Sequence, residues 1–149
     1  KKRGGKIVLL SSMAGLFPVA FDGFYSSSKA ALDMLAKSAD IELSPFNIRV
    51  TSVQPGGTST SFTFKRKIYP EEDNREYSAR VNRATAALAN MEQGGLNAGV
   101  VAKTVADILA MKKPPHEVQC GGKNKFFALA GRVLPENFSL YLNKKMYKQ

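Results

Sequence analysis

Tyr25 and Lys29 are four residues apart in a segment whose pattern predicts a helix, so their side chains project from one face, a single turn apart. An ammonium group beside a phenol stabilises the phenolate. A tyrosine needs that help to exchange protons near neutral pH, because its ordinary pKa is about 10. Lone Tyr-x-x-x-Lys pairs are common, however, and taken alone this one favours an ordinary helix surface over a catalyst.

Two features at the ends of predicted strands add to this pair. Ser12 follows the apolar run Ile7–Leu10, which predicts a strand buried on both faces, as in parallel sheets. Pro55-Gly56 closes a second predicted strand, Ile48–Val53. The carboxyl ends of parallel strands meet at one edge of a sheet, where open α/β sheets place their active sites. Singly, Ser12 is better explained as a loop cap and Pro55-Gly56 as a turn. Together with the helix pair they predict a site.

The elements that would hold these residues form a strand–helix–strand unit. Small or apolar residues between Ala31 and Leu43 recur every three or four positions, which predicts one buried helix face, and Pro45 ends that helix. Four further elements are predicted: a polar, candidate helical segment at 71–91, a helix from an Asn97 cap to Met111, a strand at Glu117–Cys120, and one or two short helices within Phe126–Leu142. The pattern indicates an α/β fold with three parallel strands, and a single domain over residues 1–149.

The composition is that of a globular protein, with 44% hydrophobic and 23% charged residues. The longest apolar runs are far shorter than the ~20 residues that a transmembrane helix needs. A single cysteine, Cys120, cannot form an internal disulfide, which favours a reducing, cytoplasmic compartment. No second histidine or cysteine stands at metal-ligand spacing, so no metal site is predicted, and His116 is interpreted as a surface or hydrogen-bonded residue.

The formal charge of +10 allows two interpretations. The basic residues are scattered and do not alternate with aromatic residues, which favours a solvated surface over a nucleic-acid platform. The alternative is a non-catalytic protein that binds an anionic partner through its basic surface. Steep loss of binding with added salt would identify that alternative.

Three segments in sequence order carry a family resemblance: Lys6–Gly15 with its serine, Phe24–Leu32 with Tyr-x-x-Ser-Lys, and Asn47–Gly56 with Arg-Val-x-x-Val-x-Pro-Gly. They resemble the short-chain dehydrogenase/reductase family, closely over residues 4–66 and more loosely to Gly122. The pattern is most similar to the hydroxysteroid- and retinol-dehydrogenase-like branch. The resemblance implies a Rossmann-like, doubly wound parallel sheet, of which the chain holds the last three strands and their helices.

The resemblance also implies roles for three candidate catalytic residues. Ser12 would bind and polarise the substrate carbonyl or hydroxyl group. Tyr25 would be the general acid in reduction and the general base in oxidation. Lys29 would stabilise the tyrosine phenolate and form a hydrogen bond with the nicotinamide ribose.

The resemblance implies that Tyr25 and Lys29 also bind the cofactor, together with Pro55, Gly56, Thr58 and Thr60. The cofactor would be NADP or NAD, with NADP favoured. Pro55 and Gly56 would pass beside the nicotinamide ring. The backbone near Thr58 and the hydroxyl of Thr60 would contact its carboxamide. The implied reaction is hydride transfer between a secondary alcohol and a ketone, or an alcohol and an aldehyde, on a small apolar substrate.

Several further expectations depend on the same resemblance. Residues 61–91 correspond to a substrate-binding loop and helix. The helix of Tyr25 would pack against a second subunit through Ala31 and Ala39, giving a homo-oligomer, and no nucleic-acid partner is expected. The glycine-rich turn that binds the cofactor pyrophosphate is absent, and three strands alone would expose an apolar edge. Both observations favour a chain truncated at its N-terminus.

Overall fold

A computed structural model of the protein describes residues 4–62, 65 and 76–147. The strands are β1 (Gly5–Leu10), β2 (Ile48–Gln54), β3 (Thr58–Ser59), β4 (Leu96–Asn97) and β5 (Glu117–Gln119). The helices are α1 (Gly23–Leu43), α2 (Ser78–Gln93), α3 (Ala98–Ala110), α4 (Gly122–Val133) and α5 (Glu136–Met146). Two short 3-10 turns cover Met13–Gly15 and Ser44–Phe46.

The main sheet has the order β1-β2-β5, and both of its strand pairs are parallel. Gly5 pairs with Ile48 at one end of the β1–β2 ladder, and Leu10 pairs with Val53 at the other. All three carboxyl ends therefore lie at the same edge. The three predicted parallel strands and the α/β class are confirmed.

The connection from α1 into β2 follows from local chemistry. Pro45 lies within the 3-10 turn that follows α1, as its sequence position predicts. Asn47 then adopts a left-handed backbone conformation with φ 57°, which asparagine tolerates better than most residues. Its carbonyl accepts a hydrogen bond from the Gly5 amide at 3.1 Å, which fixes the start of β1 against the start of β2.

Helices cover both faces of β2. Successive side chains of a strand point to opposite sides, so alternate residues of β2 contact different helices. Ser52 and Gln54 point to α1, where both form hydrogen bonds with Asp33. Val53 points the other way and packs with Ile108 of α3 in the fully buried core. This arrangement of helices on both faces is the predicted doubly wound arrangement.

Three details differ from the sequence predictions. β1 is not buried on both faces, since Ile7 and Leu10 are 41% and 53% exposed; among the described strands, β1 has β2 as its only partner. The two-residue parallel pair of β3 and β4 was not predicted, because two residues carry no periodic pattern. α2 begins at Ser78, whereas the sequence pattern placed its start near residue 71, and residues 71–75 lie outside the described part of the chain.

The remaining predicted elements are present. Asn97 caps α3 and accepts a hydrogen bond from the Gly99 amide at 2.7 Å, as its type and position predict. The tail forms two helices, α4 and α5. Within the described ranges, no helix is both long and apolar enough to cross a bilayer.

Candidate active site

Tyr25 and Lys29 lie in the first two turns of α1, on the side that faces the carboxyl end of β1. The Lys29 ammonium donates a hydrogen bond to the Leu10 carbonyl at 3.0 Å and lies 5.6 Å from the centre of the Tyr25 ring. The half-buried Tyr25 ring also packs against Phe62, with 5.9 Å between ring centres. The helix spacing thus brings the cation and the phenol together, as the sequence predicts.

Ser12 joins the ends of β1 and β2. Its hydroxyl oxygen accepts a hydrogen bond from the Ala14 amide at 3.1 Å, which caps the 3-10 turn, and the hydroxyl lies 3.4 Å from the Pro55 carbonyl as a donor. The Met13 amide donates to the same carbonyl at 2.8 Å. Ser12 is therefore a loop cap and also a lining residue of the cleft described below, so its two interpretations are compatible.

The segment after β2 passes close to α4 at Gly56 and bends at Gly57. A Cβ at this position would lie 2.6 Å from the Asn124 side-chain amide, which is held by its own hydrogen bond to the Cys120 carbonyl at 2.7 Å. The Thr58 hydroxyl donates to the Gly56 carbonyl at 2.9 Å, and the Thr60 hydroxyl accepts from the Phe62 amide at 3.3 Å. A larger residue at position 56 would therefore have to displace the Asn124 side chain from its hydrogen bond to the Cys120 carbonyl.

All seven candidate residues line one cleft of about 1010 Å³: Ser12, Tyr25, Lys29, Pro55, Gly56, Thr58 and Thr60. Apolar side chains contributed by the helices and by the turn after β1 form much of the remaining wall, including Phe17, Leu88, Met91, Phe127, Leu134, Leu142 and Met146. The cleft thus combines a few hydroxyl and ammonium donors at the sheet edge with an extensive apolar surface. Such a cleft can bind an apolar molecule and orient one polar group on it.

A network of hydrogen bonds between buried polar side chains lies under this site, and the sequence did not predict it. Asp33 follows Lys29 by one turn of α1 and accepts hydrogen bonds from the Ser52 hydroxyl and from the Gln54 amide, the latter at 2.9 Å. Gln119 of β5 donates to the Gln54 side chain at 2.8 Å. A signal was present in the sequence, because Asp33 is the one polar residue within the small and apolar stretch at residues 30–36.

The remaining titratable candidates lie elsewhere in the structure. His116 is exposed, and its Nδ1 lies 2.8 Å from the buried carboxylate of Asp40, so it is a surface residue with a partner. Cys120 is completely buried, and burial raises the pKa of its thiol, partly offset by a Thr104 hydrogen bond and the Lys125 charge. Among the residues that the structure describes, no group of His, Cys, Asp and Glu could hold a metal ion.

Comparison with known proteins shows which family the chain resembles. Residues 1–69 match the family model of the short chain dehydrogenases. The chain is 32% identical over 149 residues to a 3-ketodihydrosphingosine reductase of Bacteroides thetaiotaomicron, a match that covers 99% of the chain and 55% of the relative. The chain is similar to members of the short-chain dehydrogenase/reductase family.

Two further members of this family give the extent of the likeness. The NADPH-dependent 1-acyldihydroxyacetone phosphate reductase of Saccharomyces cerevisiae is 36% identical over 119 residues, covering 76% of the chain and 38% of the yeast protein. A solved short-chain dehydrogenase from Streptomyces avermitilis superposes with a TM-score of 0.67 at 26% identity, covering 96% of the chain and 50% of that structure. The chain spans about half the length of the relatives it matches.

This similarity confirms the family resemblance and the Rossmann-like architecture expected from the three motifs. The matched segment, 1–69, contains Ser12, Tyr25, Lys29 and the carboxyl end of β2. The hydroxysteroid- and retinol-dehydrogenase-like branch stays a prediction. So does the substrate segment at 61–91, of which residues 63–64 and 66–75 lie outside the described part of the chain.

Proposed function

We propose that the chain carries the proton-transfer half of an NAD(P)-dependent oxidoreductase that interconverts an alcohol and a carbonyl compound. One observation carries this proposal: Ser12, Tyr25 and Lys29 line a single cleft beside the carboxyl end of β2. Catalytic sites of open α/β sheets occupy this edge, and a general acid at it is the group that carbonyl reduction requires.

Each side chain has a distinct part in the proposed reaction. The Ser12 hydroxyl donates a hydrogen bond to the substrate carbonyl oxygen and orients it toward Tyr25. The Tyr25 hydroxyl gives its proton to that oxygen as hydride reaches the carbonyl carbon, so that carbonyl, hydride and proton together give the alcohol. The Lys29 ammonium stabilises the phenolate that remains. In the oxidising direction Tyr25 takes the proton from the alcohol.

The residues present fit the nicotinamide end of a dinucleotide. Lys29 and Thr60 offer polar groups to the cleft, and Pro55, Gly56 and Thr58 supply backbone along one wall. When bound, the reduced nicotinamide supplies the hydride. Lys29 would bind the ribose, Pro55 and Gly56 would flank the ring, and Thr58 and Thr60 would hold the carboxamide. The name of the yeast relative supports NADP over NAD.

The apolar side chains in the wall of the cleft favour an apolar substrate. Phe127, Leu134, Leu142 and Met146 from the C-terminal region line the same cleft as the hydroxyl groups of the sheet edge. The names of the two relatives described above, a 3-ketodihydrosphingosine reductase and a 1-acyldihydroxyacetone phosphate reductase, support a ketone on a largely apolar molecule. We propose a ketone of this kind as substrate, with its apolar body against these helices.

The proposed assembly and compartment follow from other residues. The exposed Ala31 and the half-buried Ala39 leave room for a second copy of α1 to approach, which supports a homo-oligomer. The single cysteine, Cys120, supports a reducing compartment such as the cytoplasm.

The test is a matched pair of tyrosine variants in the protein expressed from its complete reading frame. Tyr25→Phe should lower kcat for NADPH-dependent ketone reduction by about 10²–10⁴-fold, because the proton donor is lost. Tyr141→Phe is the control, since Tyr141 is 58% exposed and is not among the residues that line the cleft.

Equal activity of the two variants would overturn the proposal. If instead the unaltered protein binds neither cofactor but binds an anionic polymer in a strongly salt-dependent way, the basic-surface alternative is correct.

A further inference from the structure

We infer that Asp33 is a positioning residue for the proposed reaction, locking α1 onto the sheet so that Tyr25 and Lys29 meet Ser12. This inference rests on the proposed function. Asp33 touches neither the cleft nor any group assigned to substrate or cofactor. It acts through the helix that carries Tyr25 and Lys29.

The position of Asp33 on α1 couples it directly to these two residues. It stands four residues after Lys29, which stands four residues after Tyr25, so the three side chains follow one face of the helix. Tyr25 and Lys29 reach the cleft, whereas Asp33 is turned onto β2 and is only 7% exposed. A shift or rotation of α1 at Asp33 would therefore move both groups at the site.

Asp33 is bound to β2 through both carboxylate oxygens. Oδ1 accepts the Ser52 hydroxyl, and Oδ2 accepts the Gln54 amide at 2.9 Å. Gln119 on β5 donates to Gln54 at 2.8 Å, so the contact is braced by the neighbouring strand. Ser52 and Gln54 are 1% and 3% exposed, and the carboxylate is thus their partner in a place that water does not reach freely.

The turn that carries Ser12 is fitted against the same part of α1. A Cβ on Gly15 would lie 2.6 Å from Asp33 Oδ2 and 2.9 Å from the Lys29 carbonyl carbon. The Ser11 hydroxyl donates to the Lys29 carbonyl at 3.0 Å. Asp33 is therefore the point where α1, β2 and the turn after β1 meet, and these three elements carry Tyr25, Lys29, Ser12 and the wall of the cofactor site.

An acidic residue at a buried position is costly unless its hydrogen bonds are satisfied, and an apolar residue would pack there without that cost. The two polar contacts instead fix direction as well as distance, because hydrogen bonds weaken steeply with misalignment. Removing the carboxylate would leave the Ser52 hydroxyl and the Gln54 amide buried without this acceptor. Helix α1 could then shift relative to β2. A misplacement of about 1 Å at a reacting group can cost about 10²-fold in rate.

The experiment compares three variants of the complete protein, each assayed at a temperature where circular dichroism shows it fully folded. Asp33→Ala should lower kcat for ketone reduction by about 10- to 100-fold and leave KM within about threefold. Asp33→Asn keeps one acceptor oxygen, so it should recover part of the lost kcat. Asp107→Asn is the matched control, because Asp107 forms an exposed pair with Lys103 on α3; its kcat should be unchanged.

A fourth variant keeps the inference testable if Asp33→Ala does not fold. Ser52→Ala removes one of the two contacts and should lower kcat in the same way, by about tenfold. If kcat is unchanged in the folded variants while only their melting temperature falls, or if KM alone rises, Asp33 has a structural or binding role and the inference is wrong. Failure of the proposed function would be distinguishable, because Tyr25→Phe would then be as active as the unaltered protein, or the unaltered protein would itself reduce no ketone.

Discussion

Gly15→Ala should destabilise the fold at the contact between α1 and the turn after β1. The backbone of Gly15 does not require glycine, since it is absent from the residues with positive φ in the described chain. Its environment does. An added Cβ would lie 2.6 Å from Asp33 Oδ2, 2.9 Å from the Lys29 carbonyl carbon and 3.0 Å from the Ala30 amide nitrogen. Two of these three atoms belong to the helix backbone and cannot rotate away.

The expected magnitude follows from two opposing effects. Inserting a methyl group into a packed contact costs about 1–3 kcal/mol when the neighbours must shift. Replacing glycine by alanine also restricts the unfolded chain, which stabilises the fold by about 0.4–1 kcal/mol. The net loss of unfolding free energy should therefore be about 0–2.6 kcal/mol, with a midpoint of about 1.3 kcal/mol. Gly23→Ala provides the control, because a Cβ at the first residue of α1 meets nothing within 4 Å; it should leave stability unchanged or slightly higher.

Urea unfolding followed by circular dichroism measures both variants under the same conditions, and an unchanged m value ensures that midpoints can be compared. The kcat of Gly15→Ala should also fall, because relief of the clash moves the turn of Ser12 away from α1. If Gly15→Ala is as stable as Gly23→Ala, the close approach of the turn to the helix is wrong, and with it the geometry assigned to Ser12 and Lys29.

Two further predictions concern a buried thiol and the assembly. Burial raises the pKa of Cys120, so less thiolate is present at a given pH. The native protein should therefore react with a thiol reagent more slowly than the urea-unfolded chain, by a factor on the order of ten or more, and the rate should rise as pH rises. Equal rates in the two states would show that Cys120 is accessible. For the proposed homo-oligomer, Ala31→Glu on α1 should reduce the molecular mass of the assembly measured by light scattering, because the new carboxylate would be buried between two helices. The control is a charge-reversed Lys144→Glu/Lys145→Glu variant, whose mass should not change. The opposite pattern would place the interface at the C-terminal helix instead of α1.

The parts of the fold that could be predicted are those that local chemistry determines. Pro45 ends α1, and Asn97 caps α3 by accepting a hydrogen bond from the Gly99 amide, as their residue types require. Tyr25 and Lys29 meet because helix geometry alone brings residues four apart together. Ser12 and Pro55-Gly56 lie at one edge because the parallel strands β1 and β2 align their carboxyl ends.

The parts that could not be predicted depend on tertiary contacts. Asp33 and Asp40 are of a residue type that usually lies at the surface. Both are buried here because β2 and its neighbours supply hydrogen-bond partners. The pairing of β3 with β4 is set by the close packing of Gly57 against Met91 and the hydrogen bond from the Leu96 amide to the Gly57 carbonyl. None of these contacts leaves a periodic signal along the chain.

The parallel order of the sheet has a consequence for the time course of folding. The contact between Ser12 and Pro55 joins residues 43 positions apart, and the one between Gln54 and Gln119 spans 65. Such contacts require long loops to close before they return any free energy, so chains rich in them fold slowly, while helices form in about a microsecond. A refolding chain would thus regain most of its helical signal before the carboxyl ends of β1, β2 and β5 come together, and the cleft at this edge of the sheet would be among the last features to appear.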